Sequence, residues 1–356
     1  MKLLPAISGI LLGTLAATTL FAQENGCYIE RSYPAFKGIK LAVSNKYGDI
    51  NILNTKTDSL IICATISIEQ EDNVLLSKSL QLIDFNITNS SDSVAVTTLY
   101  NKDFFSTKYS KGRKSFSVDY IIKVPVYTDL YLNNSFGNIS VEDCSGYINT
   151  KLSQGILVLK NLTRGNIKPI NSVTVFHSDV DINKASWLSM NIKNCQSVKI
   201  GDIQALLIGS EFSKINIGKV NSLVTNSKSD HYEIGSIFNL GSESTYSSFN
   251  IGSLDGQLSS TSVFGSVSVA NLRKGFSTIK IEANHTPVTI KTEKGISFKT
   301  DISASNNPVE FAFDNDPGIN RTVINSQVTI TGVAGGNKQT SSLIIITTTL
   351  GKLIIE

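Results

Sequence analysis

A pair of residues, isoleucine followed by glycine, recurs at a constant interval in the middle of the chain. Neither the 3.6-residue period of a helix nor the short connection of a hairpin produces an interval of this length. The chain must therefore return to an equivalent position once every 17 residues. The pair stands at Ile200–Gly201, Ile217–Gly218, Ile234–Gly235 and Ile251–Gly252.

The residues around each isoleucine alternate as they do in a β-strand. Two residues before the four isoleucines the chain has Val198, Ile215, Tyr232 and Phe249. Three residues after them it has Ile203, Val220, Ile237 and Leu254. An apolar-x-apolar pattern is typical of a strand with one buried face. The glycine that follows each isoleucine permits a tight corner that a Cβ atom would obstruct.

The same pattern extends in both directions at intervals close to 17–21 residues. Equivalent apolar residues close about a dozen such units; they include Ile52, Val141, Leu159, Ile182, Val269, Ile290, Phe311 and Ile355. A fixed period with strand alternation predicts stacked coils that bury their apolar faces against one another. A leucine-rich repeat is not supported, because its L-x-x-L-x-L signature is absent. A β-sandwich is not supported either, because it would have turns every 8–12 residues. We therefore predict an all-β fold, a parallel β-helix (solenoid) of about a dozen rungs and about 55 Å in length.

The two ends of such a solenoid expose strand edges and require caps. We predict that residues 23–130 form an N-terminal cap and the first rungs, and that residues 131–356 form the parallel β-helix, continuous with the cap. Within the cap, residues 59–68 and 94–100 read as strands. Residues 70–83 predict one short amphipathic helix.

The first 22 residues have the layout of a secretory signal peptide: one early lysine, an apolar run and small residues up to Ala22. No later stretch approaches the roughly 18 apolar residues of a membrane-spanning helix. The expected location is therefore outside the cytoplasm, in the periplasm, on the outer surface or in the medium. Cys27 follows polar residues where a lipid-acceptor cysteine needs small apolar ones, so we do not expect a lipid anchor there.

Charge and cysteine content exclude two classes of protein. The chain has 32 Lys and Arg against 29 Asp and Glu, which is not the basic surface that nucleic-acid binding requires. Four cysteines are too few for a disulfide scaffold of this size. Cys144 and Cys195 fall in the repeat and are expected to be buried, whereas a Cys27–Cys63 disulfide in the cap remains open.

Three segments resemble a known family. "LAVSNKYGDINI", "YIIKVPVYTDLYLNNSFGNISVEDCSG" and "LIIITTTLGKLIIE" are similar to the bacterial putative-adhesin family of exported β-helical proteins. The resemblance covers roughly residues 36–356, and its most characteristic stretch is the Val124–Pro125 step followed by Gly137-x-Ile139. It implies a right-handed parallel β-helix in the cell envelope and no catalytic residues. The glycine of the Gly-x-apolar unit is replaced in several rungs, at Ser178, Gln196, Ser213, Asp230 and Ser247.

The three histidines, His177, His231 and His285, are spaced 54 residues apart. Three rungs separate each pair, which is about 14 Å at the strand spacing, so they cannot share one metal ion. The residue five positions before the repeated apolar residue of each unit is usually an aromatic residue or a histidine. These residues form one column, and His177 and His285 belong to it. The other members are Tyr47, Phe136, Cys195, Phe212, Tyr246 and Phe264. The register therefore predicts a stack of rings along the rod.

No catalytic constellation is visible. Asp179 and Asp181 share one strand face, but their neighbours on adjacent rungs are not acidic, and the paired carboxylates of polysaccharide-cleaving enzymes are not formed. Zinc-helix, phosphate-loop, nucleophile-elbow and dinucleotide motifs are absent. We expect no cofactor, no metal and no enzymatic activity.

One basic segment, residues 101–116, interleaves positive charges with rings. Such a loop can contact an anionic glycan or a lipid head group, or it can be a solvated excursion whose aromatics pack on the rod. Its basic residues are Lys102, Lys108, Lys111, Arg113 and Lys114.

The sequence thus predicts an exported, non-enzymatic β-solenoid that serves as a structural or adhesin-like binding module of the cell envelope or surface. The expected partner is a glycan or another envelope component. The alternative is a polysaccharide-active β-helix enzyme, a lyase or a hydrolase.

Overall fold

The structure is a computed structural model that describes residues 21–23 and 26–356, with side chains from Ile29 onward. Residues 1–20 of the predicted signal peptide lie outside the described residues. In the described part the fold is all-β, with long, mostly parallel sheets that are consistent with a solenoid.

The N-terminal part contains the three helical segments of the described chain. The predicted helix is present as α1 (Asn73–Leu80), and the Asp72 carboxylate caps it by accepting hydrogen bonds from the Val74 and Leu75 amides. The basic segment, expected to be a loop, contains a 3₁₀ turn (Lys102–Phe105) and a single helical turn, α2 (Thr107–Ser110). The strands of this part are β1 (Phe21–Gln23), β2 (Gly26–Pro34), β3 (Lys40–Ser44), β4 (Ile50–Asn54), β5 (Ser59–Gln70), β6 (Ile83–Asn89), β7 (Ser93–Tyr100) and β8 (Arg113–Val124).

The central part consists of successive coils, and at each corner one strand ends and the next begins. Its strands are β9 (Asp129–Ser135), β10 (Ile139–Cys144), β11 (Ile148–Ser153), β12 (Ile156–Leu162), β13 (Asn171–Phe176), β14 (Asp179–Lys193), β15 (Val198–Glu211), β16 (Lys214–Lys228), β17 (His231–Thr245), β18 (Ser248–Val263), β19 (Ser266–Leu272), β20 (Thr278–Asn284) and β21 (Val288–Thr292). The C-terminal part adds β22 (Phe298–Ser305), β23 (Val309–Phe311), β24 (Ile319–Ile324), β25 (Gln327–Ala334), β26 (Leu343–Thr349) and β27 (Leu353–Ile355).

The predicted column of apolar residues is present and buried. Ile200, Ile217, Ile234 and Ile251 pair in register across parallel strands, and each is at most 2% exposed. The column continues in both directions through the pairs Ile52–Val141, Val141–Leu159, Leu159–Ile182, Ile182–Ile200, Ile251–Val269 and Val269–Ile290. A 17-residue interval is therefore one turn of the coil.

The spatial order of the coils departs from the sequence order at both ends. Ile355 pairs with Ile290 on one side and with Phe311 on the other, because β26 and β27 lie between two earlier coils. The units of Ile290 and Phe311, although consecutive in the sequence, are therefore not neighbours in the stack. At the other end, β4 lies between β8 and β10, so the first coil in the sequence is not the outermost one.

Antiparallel strands extend the sheet at each end. At the N-terminal end, β8 pairs with β5 and β5 with β2, while β7 pairs with β6. At the C-terminal end, β22 pairs with β25 and β25 with β24. A change from parallel to antiparallel pairing stops the addition of further coils at these edges.

The cysteines in the described part do not form a scaffold. Cys63, Cys144 and Cys195 are free, and Cys144 and Cys195 are buried as expected. In the β2–β5 register Cys63 lies opposite Glu30. The Cys27–Cys63 disulfide that the sequence left open involves a side chain, that of Cys27, outside the described side chains.

The repeated glycines are required by a close approach between coils. A Cβ atom on Gly235 would lie 2.4 Å from the carbonyl oxygen of Gly218, and one on Gly218 would lie 2.7 Å from that of Gly201. Their backbones do not lie in the left-handed region, so the need is for space rather than for an unusual φ angle.

We predict that Gly235→Ala destabilises the protein by about 1–3 kcal/mol, because the coil must move to relieve the contact. Gly209→Ala is the matched control, since a Cβ atom there meets no atom within 4 Å. Urea denaturation followed by circular dichroism measures both. Equal unfolding free energies for the two variants would contradict the close-approach explanation.

Candidate functional site

A column of outward-facing corner residues runs along the rod. Each has a positive φ angle, between 49° and 62°, which is unusual for residues other than glycine. The backbone holds this conformation because each corner amide donates to a carbonyl of the next coil, as Phe212 N does to Lys228 O at 3.0 Å. The column consists, in spatial order, of Tyr47, Phe136, Gln154, His177, Asn194, Phe212, Ser229, Tyr246, Phe264, His285, Leu350 and Asn306.

The predicted ring stack is present in two separate runs of this column. Tyr47 and Phe136 stack with centroids 5.1 Å apart. Tyr246 stacks on Phe264 at 5.2 Å with planes 10° apart, and Phe264 lies 4.7 Å from His285. These rings are exposed to solvent, with Tyr246 at 58% and Phe136 at 45%. An exposed row of rings on a rigid backbone is a candidate binding surface.

The assignment of Cys195 to the ring column is wrong. Asn194 occupies the corner, and Cys195 takes the buried position that follows it. The reason is one extra residue. Ile215 follows Phe212 by three positions, whereas Val198, which pairs with Ile215, follows Asn194 by four positions. For the same reason Cys195, not Gln196, replaces the glycine of the Gly-x-apolar unit in that coil.

A break in the column produces a notch. Ser229 stands where neighbouring coils carry Phe212 and Tyr246, and all three residues line a shallow, open cavity of about 580 Å³. Lys214 and His231 also line it. We refer to the cavity bounded by Phe212, Lys214, Ser229, His231 and Tyr246 as the corner notch. The 17-residue register places Ser229 in the ring column, so the sequence already contains the gap between the two rings.

Below the floor of the corner notch lies a buried polar network centred on Asp230. Its carboxylate accepts hydrogen bonds from the hydroxyls of Ser210 (2.6 Å) and Ser227 (2.7 Å) and from the amides of Ser213 (2.7 Å) and Lys228 (3.1 Å). Burial raises the pKa of the Asp230 carboxyl, and these hydrogen bonds oppose the rise. Because the Asp230 carboxylate accepts four hydrogen bonds and is shielded from solvent, Asp230 is a structural group.

Next to this network, the fully buried Tyr232 hydroxyl makes hydrogen bonds with Ser210 (2.6 Å) and Thr225 (2.9 Å). The Tyr232 ring stacks on Phe249 with centroids 4.6 Å apart. Burial raises the pKa of the Tyr232 hydroxyl, so it remains protonated. The sequence marked Tyr232 only as an apolar member of its column.

His231 connects the corner notch to a polar surface on the following strand. One ring nitrogen lies 2.6 Å from Ser248 Oγ and the other 2.7 Å from Glu233 Oε1. Glu233 also accepts a hydrogen bond from Asn250 at 2.8 Å, and the two donors lower the pKa of its carboxyl. His177 and His285, by contrast, lie in the corner column, three coils away on either side.

Among the residues that the structure describes, no group of three or more His, Cys, Asp and Glu side chains is arranged to hold a metal ion. Asp179 and Asp181 lie on an outer strand face opposite Ile156 and Val158, and Asp181 faces Lys199 on the next coil. The neighbours of the two carboxylates are the ones expected from the register.

The five basic residues of the segment 101–116 do not converge. Arg113 is half-buried, with its guanidinium 3.9 Å from the Phe104 ring centroid and 5.3 Å from that of Phe116. Burial lowers the pKa of Arg113. Lys114 pairs with Glu71 at 2.9 Å. Both are thus engaged within the protein.

The other three basic residues, Lys102, Lys108 and Lys111, are exposed. Lys108 lies over the Tyr109 ring at 5.0 Å. The rings of the segment do pack on the rod: Phe104 is fully buried, and Phe105 lies 5.7 Å from the Tyr47 ring. An anionic ligand would therefore meet three separate ammonium groups and no formed pocket.

No protein-family model matches the chain, and no curated protein is significantly similar to it in sequence. Among solved structures, a putative adhesin from Bacteroides fragilis is 9% identical, with 92% of this chain and 97% of that one covered and a TM-score of 0.26. A putative adhesin from Parabacteroides distasonis is 11% identical, with 75% and 92% covered and a TM-score of 0.27. A putative cell adhesion protein from Clostridium sporogenes is 10% identical, with 92% and 97% covered and a TM-score of 0.17.

The names of these structures match the putative-adhesin family that the sequence resembles. Their TM-scores are too low to support conclusions about the site. The described part of the chain has no helix of sufficient length and apolarity to cross a membrane.

We predict that Asp230 makes the stability of the protein depend on pH. Because the pKa of Asp230 is raised above its ordinary value of 3.8 in the folded state, the folded protein keeps a proton that the unfolded chain has lost. Folding becomes less favourable as the pH rises through this window. The unfolding free energy of the wild type, compared with that of Asp230→Asn, should therefore fall as the pH rises above about 4. Urea denaturation from pH 3.5 to 8 measures the difference, and a constant difference would contradict the assignment.

Proposed function

We propose that the chain is an exported, non-enzymatic β-solenoid that acts at the cell envelope or surface as an adhesin-like module binding a glycan. In this proposal it is a right-handed β-helix of about a dozen coils. One observation carries the proposal: the corner column presents exposed rings at coil spacing on a backbone fixed by hydrogen bonds from coil to coil.

The arrangement suits carbohydrate for a physical reason. One face of a pyranose ring consists of C–H groups, which gain dispersion energy against the face of an aromatic ring. The sugar hydroxyls then need polar partners close to the aromatic ring. Beside the corner column the outer strand face supplies them through His231, Glu233 and Asn250.

The alternative, a polysaccharide-active enzyme, needs a general acid and a second carboxylate facing one sugar linkage, about 5–9.5 Å apart. Asp230 lines the corner notch, and Glu233 lies two residues after His231, which also lines it. Asp230 is buried and accepts four hydrogen bonds, and Glu233 is held by His231 and Asn250. These contacts favour binding over catalysis.

A glycan array probed with the mature chain tests the proposal. We expect retention of a defined set of glycans, which remain uncleaved when they are incubated with the protein and analysed by mass spectrometry. Protease treatment of intact cells is expected to remove the protein from the surface. Absence of glycan binding together with resistance to the protease would contradict the proposal, and cleavage of a bound glycan would favour the enzymatic alternative.

A separate prediction concerns the basic segment. The triple variant in which Lys102, Lys108 and Lys111 become glutamine should keep its glycan binding, because the three ammonium groups do not converge on a pocket. Arg113→Ala should lower the melting temperature, because it removes the stacked guanidinium and its hydrogen bond to the Phe104 carbonyl. Loss of glycan binding in the folded triple variant would contradict this prediction and would indicate that the basic segment contacts the glycan.

A further inference from the structure

The corner notch has the dimensions of a slot for one sugar ring. Phe212 and Tyr246 lie two coils apart, which at the parallel strand spacing is about 9.5 Å. A ring held between two aromatic faces needs about 7–8 Å, twice the optimal separation of non-bonded carbon atoms. The two aromatic side chains therefore leave room for one inserted ring and no more.

The Tyr246 ring is oriented for this role. It is nearly parallel to Phe264, which covers one of its faces at 5.2 Å. The other face points along the rod toward the coil of Ser229, where no described ring covers it, and the Tyr246 side chain is 58% exposed. The Ser229 side chain is too short to fill the space. Phe212, on the far side of the notch, is 46% exposed.

The charge around the corner notch is positive. Lys214 lines it, and no described carboxylate lies within ion-pair distance of the Lys214 ammonium group. On the other side of the corner, Lys193 and Lys228 share the single carboxylate of Glu211, at 2.8 Å and 3.6 Å.

The remaining carboxylates near the notch are already engaged. Asp230 is held by four donors beneath the floor, and Glu233 by His231 and Asn250. Lys214 therefore makes no ion pair within the described chain, and its charge acts only at longer range on the Glu233 carboxylate. A ligand that supplies both a ring and a carboxylate complements it.

We propose that the corner notch binds a hexuronate residue of an acidic polysaccharide, with the pyranose ring between Phe212 and Tyr246 and the carboxylate on Lys214. This assignment rests on the proposed glycan-binding function and adds to it the site and the class of sugar. His231 contributes a polar edge beside the slot.

Calorimetric titration with tetramers of galacturonate, glucuronate and mannuronate tests the assignment, and the methyl ester of the bound tetramer serves as the uncharged control. We expect one of the acids to bind and its ester to bind at least about tenfold more weakly, the size of one charge-assisted contact. Lys214→Gln should show the same loss for the acid. Phe212→Ala and Tyr246→Ala should each weaken binding about three- to tenfold.

The most informative variant is Ser229→Phe, which inserts the missing ring. Ser229 has a φ of 56°, and Phe212 and Phe264 occupy the same column at 52° and 54°, so a phenylalanine fits the backbone. We expect this variant to keep or raise its melting temperature and to lose binding. A retained melting temperature would show that binding is lost because the slot is filled, not because the protein is unfolded. Phe238→Ala is the matched control, since Phe238 is an exposed ring of β17 that lies outside the corner column.

Three results would overturn the assignment: none of the acidic tetramers binds, the ester binds as well as the acid, or Ser229→Phe binds as well as the wild type. If the glycan array is positive while Ser229→Phe retains all binding, the proposed function stands and the notch is not its site. If the array is negative and the acidic tetramers do not bind, both fail.

Discussion

Parallel hydrogen bonding between coils fixes one distance along the whole rod, about 4.8 Å, and every other feature must fit within it. Side chains at equivalent positions lie directly on one another, so each column needs residues of matching size. The column of Ile200 is apolar throughout, and Gly201, Gly218, Gly235 and Gly252 carry no side chain because a carbonyl of the preceding coil occupies that space. The same bonds hold the corner residues at positive φ, a conformation that would otherwise be costly for a phenylalanine or tyrosine.

A structure with such regular columns can acquire specificity only where a column is interrupted. Ser229 interrupts the ring column and opens a cavity, while Asp230, its neighbour, interrupts the small-residue column beneath. The two exceptions support each other, because the donors to the Asp230 carboxylate belong to the coils of Phe212 and Ser229. The coil of Tyr246 joins the network through Ser247, whose hydroxyl accepts from the Asp230 amide and from the Ser227 hydroxyl. A buried carboxylate with satisfied donors fixes the relative position of these coils more tightly than an apolar group would. We infer that the polar network keeps the walls of the corner notch at a constant separation.

The coil and its columns could be predicted from the sequence because they depend on local spacing. The pairing of Ile200, Ile217, Ile234 and Ile251 follows directly from a 17-residue interval. One extra residue before Val198 was enough to misplace Cys195 by one column, since period alone does not reveal an insertion. The placement of Ile355 between Ile290 and Phe311 could not be predicted, because all three belong to units with the same pattern and any of them can pair with any other. The charge and width of the corner notch required the side-chain positions of three different coils.

The position of β26 and β27 has a consequence for how the molecule is made. These strands are synthesised after β22 and β23, yet they occupy the interior of the stack, with coils on both sides. The inner edge of β22 and β23 thus stays open until β26 and β27 arrive. A chain that stopped before β26 would lack an internal layer and not merely a frayed end.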